Sequence, residues 1–298
     1  MSTAIRVAVG LPVRSAGADP DVVLTWAVRA EHGPFSGLAV PDRVVHDALE
    51  PLVALAAAAA VTRRIGLLTS IVLGPTRETT LLARQAASVD VLSRGRLTLG
   101  VGIGIRPDDY TATGTDFATR GRRLDAQLPL LRRIWAGEPL DSGAEPVDPG
   151  IGMIGPAPAR PGGPQVLVGG YVDAVARRIA AWGDGFMAPG GGDPERMAAL
   201  WRAIVDAWDA AGRAGRPRRV AGSYFALGPR AEEAARAHID AWYGFDPALA
   251  ERRLRGIPTT VEAVSAVIRR HEDDGADELV LRPCVADLDQ LDRLTDLV

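Results

Sequence analysis

The sequence contains no lysine and only one cysteine, and each absence excludes a class of chemistry. All 34 basic residues are arginine, so the chain has neither a Schiff-base lysine nor the lysine of a phosphate-binding P-loop. A single cysteine, Cys284, excludes a disulfide within the chain and a cysteine-based zinc site. The longest apolar run, at 52–61, is mostly alanine and is too short to cross a bilayer, which needs roughly 20 residues.

The overall composition is that of an ordinary globular protein. Hydrophobic residues make up 47% of the 298 residues, charged residues make up 24%, and the net charge is −3. This small negative charge does not favour binding to nucleic acid or to an anionic membrane. The first ten residues show no basic segment followed by a long apolar core, so no signal peptide is expected. We therefore expect a soluble, cytoplasmic protein whose partner is a small molecule.

Short apolar segments alternate with amphipathic ones along the whole chain. Eight of the apolar segments are predicted strands, and each precedes a predicted helix: 5–11, 38–40, 65–73, 97–101, 165–168, 185–187, 219–227 and 278–281. Strict alternation favours a parallel sheet, and a count of eight favours a closed (β/α)8 TIM barrel. An open Rossmann sheet is the rival, but no G-x-G-x-x-G follows the first strand. We expect one α/β barrel domain over 1–298, with an irregular insertion at 137–164 after the fourth helix.

The predicted barrel mouth is rich in glycine and arginine. Active sites of TIM barrels are built from residues that follow the strands, and here those positions offer no metal-ligand set and no G-x-S-x-G elbow. Such a mouth indicates an organic cofactor that brings its own reactivity. The clearest anion site is the turn Gly169-Gly170-Tyr171, because backbone N–H groups at a glycine turn and a helix N-terminus bind phosphate. A tight turn without a ligand fits the same spacing.

Three alternate glycines at the end of the fourth predicted strand are the most unusual feature. Gly100, Gly102 and Gly104 give up side chains where a buried strand normally fills its core. They make sense if a flat group lies against the backbone there. The sequence thus predicts a floor for a planar ligand at the strand's carboxyl end.

The segment that contains these glycines, ARQAASVDVLSRGRLTLGVGIG at 83–104, resembles the most recognisable part of the bacterial-luciferase-like family. That family consists of flavin-dependent oxidoreductases with a (β/α)8 fold. PLVAL at 51–55, IGL at 65–67, VGG at 168–170 and GDG at 183–185 match further parts of its pattern. The similarity runs from residue 5 to about residue 190 and is looser beyond.

The resemblance implies a reduced FMN or the deazaflavin coenzyme F420 at the strand ends, and we favour F420. The cofactor phosphate would meet the backbone of Gly169, Gly170 and Tyr171, and the ring would lie over the third and fourth strands at Gly102 and Gly104. Many relatives have a non-proline cis peptide at the end of strand three, which would correspond here to Ser70-Ile71. The family also suggests a homodimer through the alanine-rich helix at 49–62.

One departure from the family pattern affects the expected chemistry. Deazaflavin-using relatives commonly carry Asp-His after strand two, whereas this chain has Asp42-Arg43. Arginine does not shuttle protons at neutral pH, although it can clamp an anion or an electron-rich ring. His46 would substitute if the loop curls back; a solvated loop histidine is the alternative. Asp42, Arg43 and His46 are therefore candidate reaction-centre residues.

The segment 106–110 supplies two more candidates. Arg106 is expected to pair with a cofactor phosphate or carboxylate, because guanidinium binds oxyanions in a bidentate manner. Tyr110 is expected to stack on the substrate or to hydrogen-bond to it. For Asp108 and Asp109 we favour turn and capping roles. Arg77 matches a common family arginine, with a structural salt bridge as the alternative.

Three functional hypotheses follow. The first is an oxidoreductase or monooxygenase in which the reduced cofactor delivers a hydride, or activates oxygen, against a small organic substrate. The second is a non-catalytic flavin-binding relative of the same fold, which the scarcity of acids and bases leaves open. The third is an unrelated barrel lyase or aldolase that holds a phosphate substrate at Gly169-Gly170; the absence of lysine and of metal ligands weighs against it.

Overall fold

Nine strands form one closed parallel sheet in the computed structural model, which describes residues 4–13, 20–139, 154–190 and 193–298. They are β1 (Arg6–Gly10), β2 (Gly37–Val40), β3 (Gly66–Thr69), β4 (Val72–Leu73), β5 (Leu97–Gly102), β6 (Gln165–Gly169), β7 (Gly185–Met187), β8 (Arg218–Phe225) and β9 (Glu278–Pro283). β1 pairs with β2 and β9, and β3 and β4 both pair with β5, so the sheet closes with eight strand positions. The predicted (β/α)8 barrel is confirmed.

Eleven α-helices in the described part of the chain follow the strands. They are α1 (Pro20–His32), α2 (Pro51–Val61), α3 (Thr79–Leu92), α4 (Pro107–Ala112), α5 (Arg120–Trp135), α6 (Ala174–Trp182), α7 (Pro194–Ala210), α8 (Ala231–Tyr243), α9 (Pro247–Leu254), α10 (Val261–Asp273) and α11 (Asp289–Thr295). None of these helices has the length and apolar character that a bilayer span requires.

Local sequence signals explain where several helices begin. Thr260 caps α10 by accepting a hydrogen bond from the Ala263 N–H at 3.2 Å. Glu50 and Glu78 cap α2 and α3 in the same way. The alanines of α2 allow it to pack closely against α1 and α3, which leaves Ala54, Ala58 and Ala59 buried.

One local prediction was wrong, and 137–164 is only partly described. The single strand predicted over 65–73 is divided into β3 and β4 around Ser70-Ile71. Residues 107–112 form the helix α4, because Pro107 suits a first helical position and the two aspartates that follow favour a helix N-terminus. Within the predicted insertion, residues 140–153 lie outside the described residues.

The charged residues of the family-like segment support the fold rather than the cavity. Asp90 is fully buried on α3 and accepts hydrogen bonds from the N–H groups of Ala159 and Arg160 at 3.0 and 3.3 Å. Arg96 donates to the carbonyls of Ile65 and Thr62 at 2.6 and 3.0 Å. Burial would otherwise leave these backbone N–H and carbonyl groups unpaired. Asp90 and Arg96 therefore join helices and loops at the amino end of β5.

Candidate active site at the barrel mouth

A cavity of about 360 Å³ opens at the carboxyl ends of the strands. Its walls come from the loops after β2, β3, β5, β6 and β7, from the ends of β8 and β9, and from α8 and α9. Ligand pockets in proteins span roughly 300–1,000 Å³, so the cavity can hold a small organic molecule. The position is the one that TIM-barrel enzymes use for catalysis.

The structure brings nine of the twelve predicted site residues to this cavity. They are Asp42, Arg43, Ser70, Ile71, Gly104, Arg106, Gly169, Gly170 and Tyr171. His46, Tyr110 and Gly102 do not line it. The Ser70-Ile71 peptide bond is cis, which confirms the expectation taken from the family resemblance.

Asp42 is buried and held in place by Arg77. Its carboxylate accepts from both guanidinium Nη atoms of Arg77, at 2.5 and 3.2 Å, and from the Leu73 N–H at 2.8 Å. Burial raises the pKa of Asp42 above its usual value, and Arg77 opposes this rise. Arg77 also reaches Glu50 at 3.0 Å. Asp42 therefore positions the β4 segment at the edge of the cavity through an ion pair.

The Arg43 guanidinium contacts the Asp109 carboxylate and two backbone carbonyls. Its Nε lies 3.3 Å from the Asp109 carboxylate, and its Nη atoms donate to the Val45 and Trp242 carbonyls at 2.6 and 3.3 Å. Asp109, which is 2% exposed, also accepts from the N–H groups of Val44 and Val45. Burial lowers the pKa of Arg43, with the neighbouring aspartates opposing the shift. The turn role predicted for Asp109 was thus too weak, since it anchors the whole β2 loop.

Arg106 reaches the same carbonyl as Arg43. Its Nη1 donates to the Trp242 carbonyl at 3.4 Å, its Nε donates to Asp108 at 3.0 Å, and its guanidinium lies 4.2 Å from the centre of the Phe245 ring. The bond to Arg106 is also the largest cause of the lowered pKa of Asp108. Two loop arginines therefore fix the carboxyl end of α8 over the cavity.

Two predicted catalytic residues contact other side chains or backbone beside the cavity and do not line it. The His46 ring stacks on Trp242 with ring centres 4.3 Å apart. Tyr110 is fully buried, and its hydroxyl donates to the Ile103 carbonyl at 2.5 Å. Burial raises the pKa of Tyr110 to about 12. Direct substrate contact by Tyr110 is therefore wrong: the side chain braces the β5 loop, and its apolar ring is used for packing.

The alternate glycines of β5 do not form the predicted floor. A Cβ at Gly100 would collide with the Thr69 carbonyl oxygen, and one at Gly102 would collide with the Ile71 side chain. Only Gly104 borders the cavity, and its φ of +63° is a conformation that suits glycine. The missing side chains make room for the β3–β4 segment, which itself forms the cavity wall with Ser70 and Ile71.

The β6–α6 turn places the start of a helix at the cavity edge. Gly170 has a φ of +151°, and α6 begins at Ala174 without a side-chain cap. The N–H groups of Val175 and Ala176 already donate to the carbonyls of Val172 and Asp173, at 2.9 and 3.0 Å, so the helix dipole is what favours an anion there. Arg178 of α6 is 5% exposed, borders the same cavity and pairs with Asp125 at 2.8 Å. This edge suits a phosphate group.

Most of the far wall of the cavity was not predicted from the sequence. It consists of Tyr224, Tyr243, Arg253 and Arg282, of which only Arg282 follows a predicted strand. The Arg253 Nη2 donates to the Tyr171 hydroxyl at 2.6 Å, and the hydroxyls of Tyr224 and Tyr243 are 3.1 Å apart. The sequence signal for this wall was Gly222, a glycine inside the predicted strand 219–227. It leaves space for Arg282, because a Cβ there would collide with the Arg282 guanidinium. Helical periodicity cannot show that Arg253 of α9 reaches back into the barrel.

Comparison with known proteins agrees with this architecture. The sequence model of luciferase-like monooxygenases matches residues 2–290. The chain belongs to this family. It is 38% identical over 149 residues to an uncharacterized protein of Mycobacterium tuberculosis, covering 50% of each. It is 30% identical over 184 residues to the F420-dependent glucose-6-phosphate dehydrogenase of Gordonia bronchialis, covering 58% of this chain and 54% of that protein.

The chain thus spans about half the length of these curated relatives. Solved structures show the shared luciferase-like fold over the whole length. An F420-dependent secondary alcohol dehydrogenase in complex with an F420–acetone adduct superposes with a TM-score of 0.79 at 16% identity, covering 99% of this chain and 98% of the other. Monooxygenase RslO1 from Streptomyces bottropensis gives a TM-score of 0.75 at 22% identity, covering 98% and 97%.

Proposed function

We propose that this luciferase-like protein is an oxidoreductase that uses coenzyme F420 or FMN to act on a small organic substrate at the barrel mouth. The observation that carries the proposal is the cavity itself. It is lined mostly by apolar side chains and glycine backbone, it extends from Ser70 and Ile71 to the Gly169-Gly170 turn, and six arginines and two aspartates line it. A flat, anionic cofactor complements such a site.

The residues present fit this cofactor class. A Cβ at Gly170 would lie 3.0 Å from the Val175 side chain, so glycine keeps the β6–α6 turn open. The uncapped start of α6 and the nearby Arg120 would hold the phosphate, and Ile71 with Met187 would support the ring. When bound, F420 supplies two-electron hydride transfer, whereas FMN supplies hydride transfer or oxygen activation.

The protein itself positions the cofactor and the substrate, excludes water and balances charge. Trp242 and Tyr243 lie over the mouth, where the Arg43 and Arg106 bonds to the Trp242 carbonyl hold the end of α8. A cavity closed in this way strengthens each electrostatic contact inside it. We favour F420 over FMN because F420 carries more anionic groups and the cavity has a surplus of arginine.

A second candidate is a cofactor-binding protein without turnover. The two aspartates that line the cavity, Asp42 and Asp109, are both engaged in ion pairs, and His46 stacks on Trp242. Within the described residues, the cavity therefore offers tyrosine hydroxyls as its main proton-bearing groups. Burial raises the pKa of Tyr171 and holds that of Tyr224 well above the usual value, so both stay protonated near neutral pH.

Titration of the purified protein with F420 and with FMN tests the proposal. We expect quenching of cofactor fluorescence with micromolar affinity for one of them, followed by substrate-dependent oxidation or reduction of the cofactor on a panel of alcohols, aldehydes and ketones with and without a carboxylate or phosphate group. Binding without turnover across the panel would favour the second candidate. Failure to bind either cofactor would falsify both.

A further inference from the structure

The arginines of the cavity differ in how their charge is balanced. Arg43, Arg106 and Arg178 each lie within ion-pair distance of an aspartate. In the part of the chain that the structure describes, Arg120, Arg253 and Arg282 do not. Arg120 donates to the Phe117 carbonyl at 2.7 Å and lies on the Phe117 ring. Arg253 and Arg282 contact the hydroxyls of Tyr171 and Ser70, at 2.6 and 3.5 Å, and lie 5.0 and 5.8 Å from the ring centres of Tyr243 and Tyr224. Two cations at one wall therefore have no carboxylate counter-ion.

The Arg253 guanidinium is buried without a carboxylate partner among the described residues. The residue is only 9% exposed, and its Nε is buried with no hydrogen-bond partner. Tyr171 does not supply a negative charge, because its hydroxyl is neutral when it accepts the hydrogen bond from Arg253. A buried charge normally requires a paired, hydrogen-bonded partner, and an unmatched donor loses the free energy of its solvation. A ligand anion would supply a counter-ion for the Arg253 charge and a hydrogen-bond acceptor for its Nε.

Two neighbouring glycines border the two guanidinium groups. A Cβ at Gly222 would collide with the Arg282 Nη atoms. A Cβ at Gly190 would collide with the Gly222 carbonyl oxygen, at 2.5 Å, and would lie 3.7 Å from the Arg253 Nη1. Both glycines thus leave space for arginine side chains at the ends of β7 and β8. Both cations therefore border the same cavity, within reach of the hydroxyl-bearing side chains of Tyr171 and Tyr224.

We propose that Arg253 and Arg282, with the hydroxyls of Tyr171 and Tyr224, bind an oxyanion of the substrate, so that the substrate is an organic carboxylate or phosphate ester rather than a neutral alcohol or ketone. This inference rests on the proposed function only in taking the cavity as the reaction site. Guanidinium groups bind carboxylate and phosphate oxygens in bidentate fashion, and the tyrosine hydroxyls add directional bonds. Arg253 and Arg282 are then the residues that determine substrate specificity.

Calorimetric titration of the purified protein with benzoate, phenyl phosphate and benzamide tests this assignment. Benzamide has the shape of benzoate without its charge. We expect one of the two anions to bind at least roughly tenfold more tightly than benzamide, as charge-assisted hydrogen bonds require. Whichever anion binds more tightly identifies the oxyanion. Equal affinity for benzoate, phenyl phosphate and benzamide would overturn the proposal.

Substitution of the two arginines localises the binding. Arg253→Met and Arg282→Met should each weaken the anion about tenfold or more and leave benzamide unchanged, while Arg253→Lys should retain part of the affinity. Arg29→Met is the matched control, because Arg29 is exposed and pairs with Asp292 far from the cavity. Unchanged anion binding in both methionine variants would contradict the assignment, and far-UV circular dichroism identifies any variant that fails to fold.

The same variants separate the substrate from the cofactor as the source of the anion. We expect F420 and FMN affinities to change less than about threefold in Arg253→Met and Arg282→Met, since the phosphate is assigned to the start of α6. A tenfold loss of cofactor affinity, with benzoate competing against the cofactor, would assign the pair to the cofactor and overturn the proposal. If the wild type binds benzoate but neither cofactor, the proposed function fails and the oxyanion site stands.

Discussion

Ile71 occupies the space above Gly102. A Cβ at Gly102 would collide with the Ile71 Cδ1 and would lie 3.1 Å from the Gly169 carbonyl oxygen. Glycine at the carboxyl end of β5 is thus needed for packing of the β3–β4 segment, and Ile71 in turn forms part of the cavity wall. The relationship links the strand glycines to the ligand site indirectly, through the protein's own side chain.

The first prediction concerns this contact. Gly102→Ala should lower the free energy of unfolding by about 1–3 kcal/mol, because the methyl group overpacks a filled site. Urea denaturation measures the change. Gly121→Ala is the control: its Cβ would meet nothing closer than the Arg178 guanidinium at 3.4 Å, and alanine favours the helix α5. In an Ile71→Ala background the cost of Gly102→Ala should shrink, and an unchanged cost would disprove the collision.

The second prediction concerns the proposed phosphate site. Gly170→Val should reduce cofactor affinity about tenfold or more, because a side chain would distort the turn that begins α6. Fluorescence titration with F420 and FMN measures the change. Gly275→Val is a control for the conformational effect alone, since Gly275 also has a positive φ, +73°, but precedes β9 at the opposite end of the barrel. Equal losses in both variants would argue against a phosphate at Gly170.

The third prediction concerns the buried pair Arg43–Asp109. Arg43→Met should lower the free energy of unfolding by about 3 kcal/mol, because it leaves a buried carboxylate without its cation. The double variant Arg43→Met/Asp109→Asn should recover part of that loss, since no net charge then stays buried. Chemical denaturation of the four proteins in the cycle gives the coupling energy. Additive effects of the two substitutions would show that the pair is not coupled.

The fourth prediction concerns pH. Burial lowers the pKa of His271 on α10 below its ordinary value of 6.5, and the Arg270 charge adds to the shift. As the pH falls through 6.5, His271 takes up a proton more readily in the unfolded chain than in the folded protein. The stability of the folded protein is therefore undiminished by His271 above pH 6.5 and decreases as the pH falls towards the lower pKa of the folded state.

Replacement of His271 tests this directly. His271→Gln should show a smaller fall in the free energy of unfolding between pH 7.5 and pH 5.5 than the wild type does, when both are measured by urea denaturation at about those two pH values. His32→Gln, at the exposed end of α1, should keep the wild-type dependence. A fall of wild-type size in His271→Gln would mean that another group is responsible.

The sequence by itself determined the barrel and the location of its mouth. Alternation of short apolar strands with amphipathic helices is set by local side-chain period, and closure of eight such units follows from the need to bury both faces of a parallel sheet. The turn at Gly169-Gly170 and the cis peptide Ser70-Ile71 were also accessible, the latter only through the family resemblance. These features depend on residues close together in the chain.

Only the tertiary structure decided which side chains face the cavity. The sequence identified Gly102 as a ligand floor, but Ile71, 31 positions earlier, fills that space. It placed Tyr110 at the substrate, but the helix α4 turns the ring into the core. Arg253 of α9 enters the barrel from far along the chain. Such contacts depend on long-range packing and on the balance of buried charges, which no local pattern of residues encodes.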